Sequence, residues 1–404
     1  MSWVVLTILL LIEWAAWRSI RRTISSWKRF RLARALWGGL AAAFFIFFFT
    51  VIVKPSSWLS DCQPCFIAFV ATFVTLFSPK FILAFFELFE SVFIAIRRAL
   101  APKSSRAGIS RRSFITTVGQ GSAGLFFGGL LYGMLHGRFN YSTRRVEVPI
   151  AGLPQAFDGF RIVQISDLHL GSFLGHNDRV EAGFQKVRDL DPDLLCFTGD
   201  LVNIRAEEAI PWRDSLQSLQ GRYGKYAVLG NHDYGDYGQF PEGEKEQIAA
   251  DVLASYRAMG FGVLLNENVE IVKNGSAFTL AGVENWGAHF KRAGNLDLAL
   301  QDVPEDNHVV LMSHDPTHFE EEVMGKAPRV ALTLSGHTHG LQMGIEIPAL
   351  GIKASPASAM YRFWGGLYQI GTQHLYVNRG FGYLGMPGRI GMPPEITELT
   401  LRSV

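Results

Sequence analysis

Cysteine is scarce. The 404 residues contain three, too few for a disulfide framework. Cys62 and Cys65 form a C-x-x-C between apolar segments, with no second pair to complete a zinc site, and read as a local disulfide or as residues without a role. Cys196 lies in an apolar run and reads as core. Acidic side chains are scarce in one region: residues 1–140 hold 16 Lys/Arg against 4 Asp/Glu, while the remainder holds 22 against 32. The acidic second part lacks the basic surface that sequence-independent nucleic-acid binding requires, so no nucleic-acid partner is expected.

What residues 1–140 do have is apolar length. Val4–Trp17, Ala35–Val53, Cys65–Ile96 and Phe114–Leu135 are apolar runs, and a spanning helix needs about 20 such residues. The first is short and interrupted by Glu13. The third is longer than one span needs and is broken at Ser78-Pro79-Lys80, which suits one bent span or a tight hairpin. This predicts about four spans in an α-helical transmembrane region over 1–140. Glu13, Glu87 and Glu90 are the acids inside its apolar runs, with Glu87 and Glu90 expected at a helix end or interface. The loops Arg18–Arg34 and Arg97–Arg112 are basic without an acid, hence cytoplasmic. The third run then crosses once, net, and the last span carries the chain to the outer, periplasmic or extracellular, face. Ser110-Arg111-Arg112-Ser113-Phe114-Ile115, followed by the Gly-rich apolar stretch Gly119–Gly133, resembles the twin-arginine export signal of bacteria. No Ala-x-Ala site follows Leu135, so the segment is expected to stay as an anchor.

Residues 141–404 have ordinary globular composition and read as α/β. Strands are predicted at 161–166, 194–198, 226–229, 309–313 and 330–335, helices at 179–190, 207–219 and 244–259, a hairpin over 266–283 and further strands over 366–403. A two-sheet β-sandwich flanked by helices accommodates this order better than one parallel sheet. Five polar motifs each sit just past a predicted strand or apolar run: Asp167-Leu168-His169, Gly199-Asp200, Gly230-Asn231-His232-Asp233, His314 and Gly336-His337-Thr338-His339. Strand C-terminal ends are where open α/β sheets bind ligands. Asp167 and His169, two apart on extended chain, should project to one face, as should His337 and His339. Gly199, Gly230 and Gly336 permit sharp turns before the ligands. The set supplies seven metal-ligand candidates, Asp167, His169, Asp200, Asn231, His314, His337 and His339. These N/O donors without thiolate suit two divalent ions such as Mn, Fe or Zn. His176, His289, His308, His318 and His374 match no motif and read as ordinary. Gly235, Gly238 and the adjacent tyrosines read as a loop at the pocket mouth.

The ordered set D-x-H, G-D, G-N-H-[DE], H, G-H-x-H resembles that of the calcineurin-like metallophosphoesterases over roughly residues 158–402. The twin-arginine-like segment, Gly340-Leu341-Gln342 and the tail Asn378–Gly382, Pro387–Arg389 and Pro394–Ile396 resemble a membrane-associated bacterial subgroup. Leu341 departs from that subgroup, where a second glycine is common. The resemblance implies one metal on Asp167, His169, Asp200 and His339, and another on Asp200, Asn231, His314 and His337, with Asp200 bridging. It implies hydrolysis of a phosphodiester, phosphomonoester or pyrophosphate by metal-activated hydroxide. His232 would protonate the leaving group, Asp233 would orient it, and Arg379 and Arg389 would hold the rest of the substrate. Membrane anchoring points to a substrate that is lipid- or envelope-linked. A UDP-diacylglucosamine pyrophosphatase is the alternative, at odds with the outer-face topology. An inactive scaffold that binds a partner would have lost ligands, and this chain keeps all of them. A sensor or transporter would require functional ionisable groups within the spans.

Overall fold

The computed structural model describes residues 3–53, 63–100, 109–173, 175, 177–238 and 240–404. The chain resolves into two compact units, Met1–Tyr132 and Gly133–Val404.

Four helices occupy the N-terminal region: Trp3–Ile24, Phe30–Val53, Gln63–Leu100 and Ile109–Leu135. The last three contain stretches long and apolar enough to cross a membrane. Trp3–Ile24 carries Glu13, Arg18, Arg21 and Arg22 and is not among them. Gln63–Leu100 is one helix with Pro79 inside it, not a hairpin. Apolar packing in this unit is largely aromatic, with Phe44, Phe48 and Phe77 buried together. Glu87 and Glu90, expected at a helix end or interface, lie inside Gln63–Leu100 and meet arginines near the end of Trp3–Ile24. Both are buried, and Arg18 and Arg22 bond to Glu87 at 2.9 and 2.7 Å while Arg22 also reaches Glu90 at 2.9 Å. Charge in an apolar helix bundle is retained only when neutralised by a partner. Glu13 is neutralised the same way, by Lys80 at 2.7 Å. Cys65 is disulfide-bonded, and Cys62 and His176 lie outside the described residues.

The second unit is a two-sheet sandwich. Its strands are β1 (Ser142–Ile150), β2 (Arg161–Ile165), β3 (Leu194–Phe197), β4 (Lys225–Ala227), β5 (Gly262–Val263), β6 (Glu267–Lys273), β7 (Ser276–Gly282), β8 (Val309–Met312), β9 (Val330–Ser335), β10 (Ile345–Ile347), β11 (Ile352–Ala354), β12 (Gly366–Ile370), β13 (Gln373–Val377) and β14 (Glu395–Ser403). One six-stranded sheet runs β1-β14-β2-β3-β4-β5, the other β12-β13-β9-β8-β7-β6, and β10-β11 form a small hairpin. β2 to β5 are parallel, as are β13, β9, β8 and β7. The pleat explains the unbroken apolar runs. Ile162, Leu194, Val310 and Met312 point between the sheets and join Phe157, Phe160 and Phe278. Their neighbours Val163, Ile165, Leu195 and Phe197 point outward, beneath Val180, Phe184, Val252 and Tyr256 of the helices Asn177–Asp189 and Glu242–Ala258. Val309 and Leu311 pack on Phe319 and Val323 across the other outer face. A strand covered on both faces has no polar alternation, and each large apolar side chain buried this way stabilises by about 1.5–3 kcal/mol. Gln164 links the sheets, donating at 2.9 Å both to Thr198 Oγ1 and to the Ser335 carbonyl. The helix expected at 207–219 is instead a 3-10 helix over Ala206–Trp212 followed by a short α-helix over Arg213–Gln217, with Pro211 at the break. Proline removes a donor and clashes with the preceding turn.

Candidate metal centre

The five motifs converge at the C-terminal ends of β2, β3, β4, β8 and β9. The chain leaves each strand through a loop pinned to its neighbour. Asp167 N–H donates to the Gly199 carbonyl at 2.9 Å, His169 N–H to the Asp200 carbonyl at 3.1 Å, and Gly336 N–H to the His314 carbonyl at 2.8 Å. The tail is laced in as well, Phe381 and Gly382 donating to the carbonyls of Ser166 and Asp167 at 2.8 Å.

The paired ligands do not sit on extended chain. Asp167, His169, Asp200, His337 and His339 have φ of 53°, 45°, 61°, 70° and 51°. This left-handed region disfavours side chains bearing Cβ, and each such residue costs on the order of 1–3 kcal/mol. The Asp167/His169 and His337/His339 pairs therefore converge through tight turns, not through the pleat that the spacing suggested. Gly199 supplies rotation, with φ of 92°, whereas Gly230 and Gly336 supply room. A Cβ on Gly230 would lie 2.2 Å from Asp200 Oδ1, and one on Gly336 2.4 Å from Asp167 Oδ2.

Two donor sets result. Asp167, His169 and His339 present ligand atoms within 4.8 Å of one another, and so do Asp200, His314 and His337. His169 Nε2 lies 3.1 Å from His339 Nε2, and His337 Nδ1 lies 3.3 Å from His314 Nε2. Two ligands on one first-row ion, each about 2.1 Å away and near a right angle, stand about 3 Å apart. The spacing and the mixed N/O donor chemistry fit a divalent cation in each set. Asn231 Oδ1 approaches His314 Nε2 at 3.0 Å and His337 Nδ1 at 2.8 Å, so its carbonyl oxygen joins the second set. Asp200 Oδ2 touches both sets, 3.5 Å from His169 Nε2 and 3.2 Å from His314 Nε2.

Electrostatics match the geometry at Asp167, Asp200, His169 and His337. Burial would raise the Asp167 and Asp200 carboxyls, but the neighbouring imidazoles, His339 for the first and His314 for the second, hold both well below the usual range. Burial lowers His169 and His337 toward the neutral, ligating form. His314 resists burial and is pushed up to about 10 by Asp200.

Around the ligands, the structure reassigns several residues. The Asp233 carboxylate, expected to orient the His232 ring, turns to other partners. It accepts from the backbone N–H groups of Gly230, Asp200 and Leu201 at 2.9, 3.0 and 3.0 Å and from Tyr256 OH at 3.0 Å. Burial, and then Asp200, push it up to about 7. The His232 ring is set by its Nδ1–H, which donates to the Asn203 carbonyl at 2.8 Å, and by Tyr237, stacked at 3.7 Å between centroids. Tyr237 comes from the loop read as the pocket mouth, and its OH accepts from Asn231 Nδ2 at 2.6 Å.

Arg379 and Arg389, expected to hold substrate, are buried to 2% and 1% exposure and spend their donors internally. Arg379 pairs with Glu395 at 2.6 Å and with Glu346. Arg389 donates to the carbonyls of Gly382 and Arg379 at 2.8 Å. They brace the tail behind His339 and do not reach out of the site. Asp315 was not foreseen. Its buried Oδ2 lies 3.5 Å from His337 Nε2 and has no hydrogen bond among the described residues, and Tyr361 OH stands 3.0 Å from the same nitrogen. A carboxylate behind a ligating imidazole fixes its tautomer. The neighbouring His314-Asp315 pair was the only sequence signal for it.

Residues 160–341 match the family described as Calcineurin-like phosphoesterase. Residues 1–138 match "Probable Calcineurin-like phosphoesterase, transmembrane domain". The metallophosphoesterase YkuE of Bacillus subtilis is 32% identical over 307 residues, 73% of this chain and 98% of that protein. "Transmembrane protein with metallophosphoesterase domain" of Danio rerio is 28% identical over 281 residues, and that of Bos taurus 30% over 285 residues, each alignment covering 67% of this chain. The matched region spans about three-fifths of these two relatives, 60% and 59%. Motif order, donor geometry and the full-length likeness to YkuE agree: this chain is a membrane-associated member of the calcineurin-like phosphoesterase family.

Proposed function

We propose that the chain is a membrane-anchored phosphoesterase that uses two divalent cations, with residues 1–140 as the anchor and 141–404 as the catalytic domain. The first cation is assigned to Asp167, His169, Asp200 and His339, the second to Asp200, Asn231, His314 and His337. The observation that carries this reading is the reach of Asp200 Oδ2 to both donor sets, 3.5 Å to His169 and 3.2 Å to His314. Divalent cations held there supply Lewis acidity toward phosphoryl oxygen and acidify water.

The chain's own residues do the rest. Asp167 and Asp200 stay ionised to hold the cations, while the neutral Asn231 oxygen keeps the total ligand charge low enough for an anionic ester to bind. His232, with Nδ1 committed to the Asn203 carbonyl, leaves Nε2 for the leaving-group oxygen, to which it delivers a proton. Tyr237 and Asn203 hold that ring in place. Phosphodiesters are the proposed substrates ahead of monoesters and pyrophosphates. Anchoring supports a lipid- or envelope-linked ester, and no feature of the site favours the lipid-precursor pyrophosphatase alternative. The basic loops and the Ser110–Ile115 pattern support a bacterial membrane with the catalytic domain outside.

The test is hydrolysis of an aryl phosphodiester and an aryl phosphomonoester by the detergent-purified full chain, with and without chelator. Turnover that chelator abolishes and added Mn²⁺ restores is the expected result; chelator-resistant turnover contradicts the proposal. A reporter enzyme fused after Val404 decides the side of the membrane, and activity in the cytoplasm overturns the outer-face assignment.

A further inference from the structure

The N-terminal unit holds an open-sided cavity of about 470 Å³ between its four helices. Its wall is apolar, with Ile24, Trp27, Trp37, Leu40, Leu83 and Phe127 among the lining side chains. Most of its polar groups are satisfied. Lys80 is neutralised by Glu13 at 2.7 Å. Gln120 donates to the Ser19 carbonyl at 3.1 Å and to Thr23 Oγ1 at 2.9 Å. Trp37 Nε1 is buried without a partner among the described residues. The rest of the wall is apolar and carries no free charge, so the interior suits hydrocarbon.

The mouth has the opposite chemistry. Trp27, in the lining, stands in the connection between helices Trp3–Ile24 and Phe30–Val53, directly before Lys28 and Arg29. Arg18 and Arg22 are committed to Glu87 and Glu90. Arg21, Lys28, Arg29, Arg31 and Arg34 are exposed and pair with no acid among the described residues. A cluster of unpaired cations beside spanning helices attracts anionic head groups, each cation contributing about 1 kcal/mol near the surface. An apolar slot whose lining Trp27 is followed directly by the unneutralised Lys28 and Arg29 is complementary to one amphiphile with a negative head.

We propose that this cavity is a binding site for one anionic phospholipid, with an acyl chain between the helices and its phosphate on the Lys28–Arg34 rim. The inference rests on the membrane placement of the helices and is independent of the catalytic reading. Gly124 offers a clean probe, because it lines the cavity and a Cβ there meets nothing within 4 Å. Gly124→Phe can therefore fill the slot without a backbone clash.

The delipidated full chain would be examined by native mass spectrometry in detergent, with phosphatidylglycerol or phosphatidylcholine of identical acyl chains added at equal concentration. The expected result is one retained phosphatidylglycerol per chain, at least about tenfold over phosphatidylcholine. Gly124→Phe should remove that adduct, and the triple change Lys28→Gln, Arg29→Gln, Arg31→Gln should erase the preference between the lipids. Equal retention of both lipids by the unaltered chain overturns the proposal whatever the variants do. So does phosphatidylglycerol retention unchanged by Gly124→Phe, or a preference that survives the triple change. Aryl ester hydrolysis measured on the same samples reports separately on the catalytic domain.

Discussion

Gly230→Ala adds one methyl group and should disable the site. Gly230 has φ of −100°, a conformation alanine adopts freely, so backbone strain plays no part. The obstacle is space. The new Cβ would lie 2.2 Å from Asp200 Oδ1 and 2.6 Å from the Asp200 backbone nitrogen, where ordinary carbon contacts are about 3.5–4.0 Å. A change of side-chain rotamer can move Oδ1 but not the nitrogen, so one loop must shift by roughly 1 Å. Both Gly230 N–H and Asp200 N–H donate to Asp233 Oδ2, at 2.9 and 3.0 Å, so moving either loop pulls on the carboxylate that holds the other. A displacement of that size at reacting groups costs about 10²-fold in rate, and overpacking a buried loop costs about 1–3 kcal/mol of stability. Gly243→Ala is the matched control. It lies in the helix Glu242–Ala258 with nothing within 4 Å of its Cβ, and should leave turnover unchanged while stabilising by about 0.5–1 kcal/mol. The assay is aryl phosphodiester hydrolysis with metal content measured on the same sample. Full activity and full metal in Gly230→Ala would refute the account of Asp200.

His232→Asn should lower kcat by about 10²–10⁴-fold while leaving metal content intact, measured by turnover and elemental analysis; loss of metal instead would make His232 a ligand. Arg379→Met should act on stability and not on KM. It removes the nearest cation from the buried Glu395, paired with Arg379 at 2.6 Å, and leaves Arg144 at 3.4 Å with the Tyr376 and Thr397 hydroxyls, so the loss should fall below the roughly 3–5 kcal/mol of a fully broken buried pair; a raised KM with unchanged melting would restore the substrate-binding role. His318 is buried, and burial holds its pKa down to about 4 from 6.5. As pH falls through this window the unfolded chain takes up the proton first, so stability present above pH 6.5 is lost toward pH 4, by about 3 kcal/mol. His318→Gln should flatten that acid limb in chemical unfolding of the detergent-solubilised chain, and identical limbs would refute the burial argument.

The catalytic fold was largely legible because its signal is local. Apolar runs such as Leu194–Phe197 and Val309–Met312 are strands covered on both faces, and the polar residues that end them mark the sheet's ligand-binding edge. The conformation of that edge was not legible. Nothing in the letters of Asp167, His169 or His339 indicates a left-handed backbone, which the surrounding loops impose through hydrogen bonds to residues more than 30 positions away, such as Asp167 N–H to the Gly199 carbonyl. The arginines failed for a related reason. Arg379 is buried because Glu346 and Glu395 meet it in space, and an arginine written in a Gly-rich tail looks the same whether it faces substrate or a buried glutamate. The partners of Glu87 and Glu90 were hidden likewise, since Arg18 and Arg22 come from another helix. Pro211, by contrast, was visible in the sequence and should have ended the helix expected at 207–219. The insertion of β14 between β1 and β2 is a long-range pairing that no local pattern encodes.

The account stands on two donor sets sharing Asp200, and metal stoichiometry tests this most directly. Elemental mass spectrometry of the purified full chain, dialysed against Mn²⁺ and freed of excess, should give about two ions per chain, falling to one or fewer in Asp200→Asn. One ion or none in the unaltered, folded chain, or two ions retained by Asp200→Asn, would contradict it.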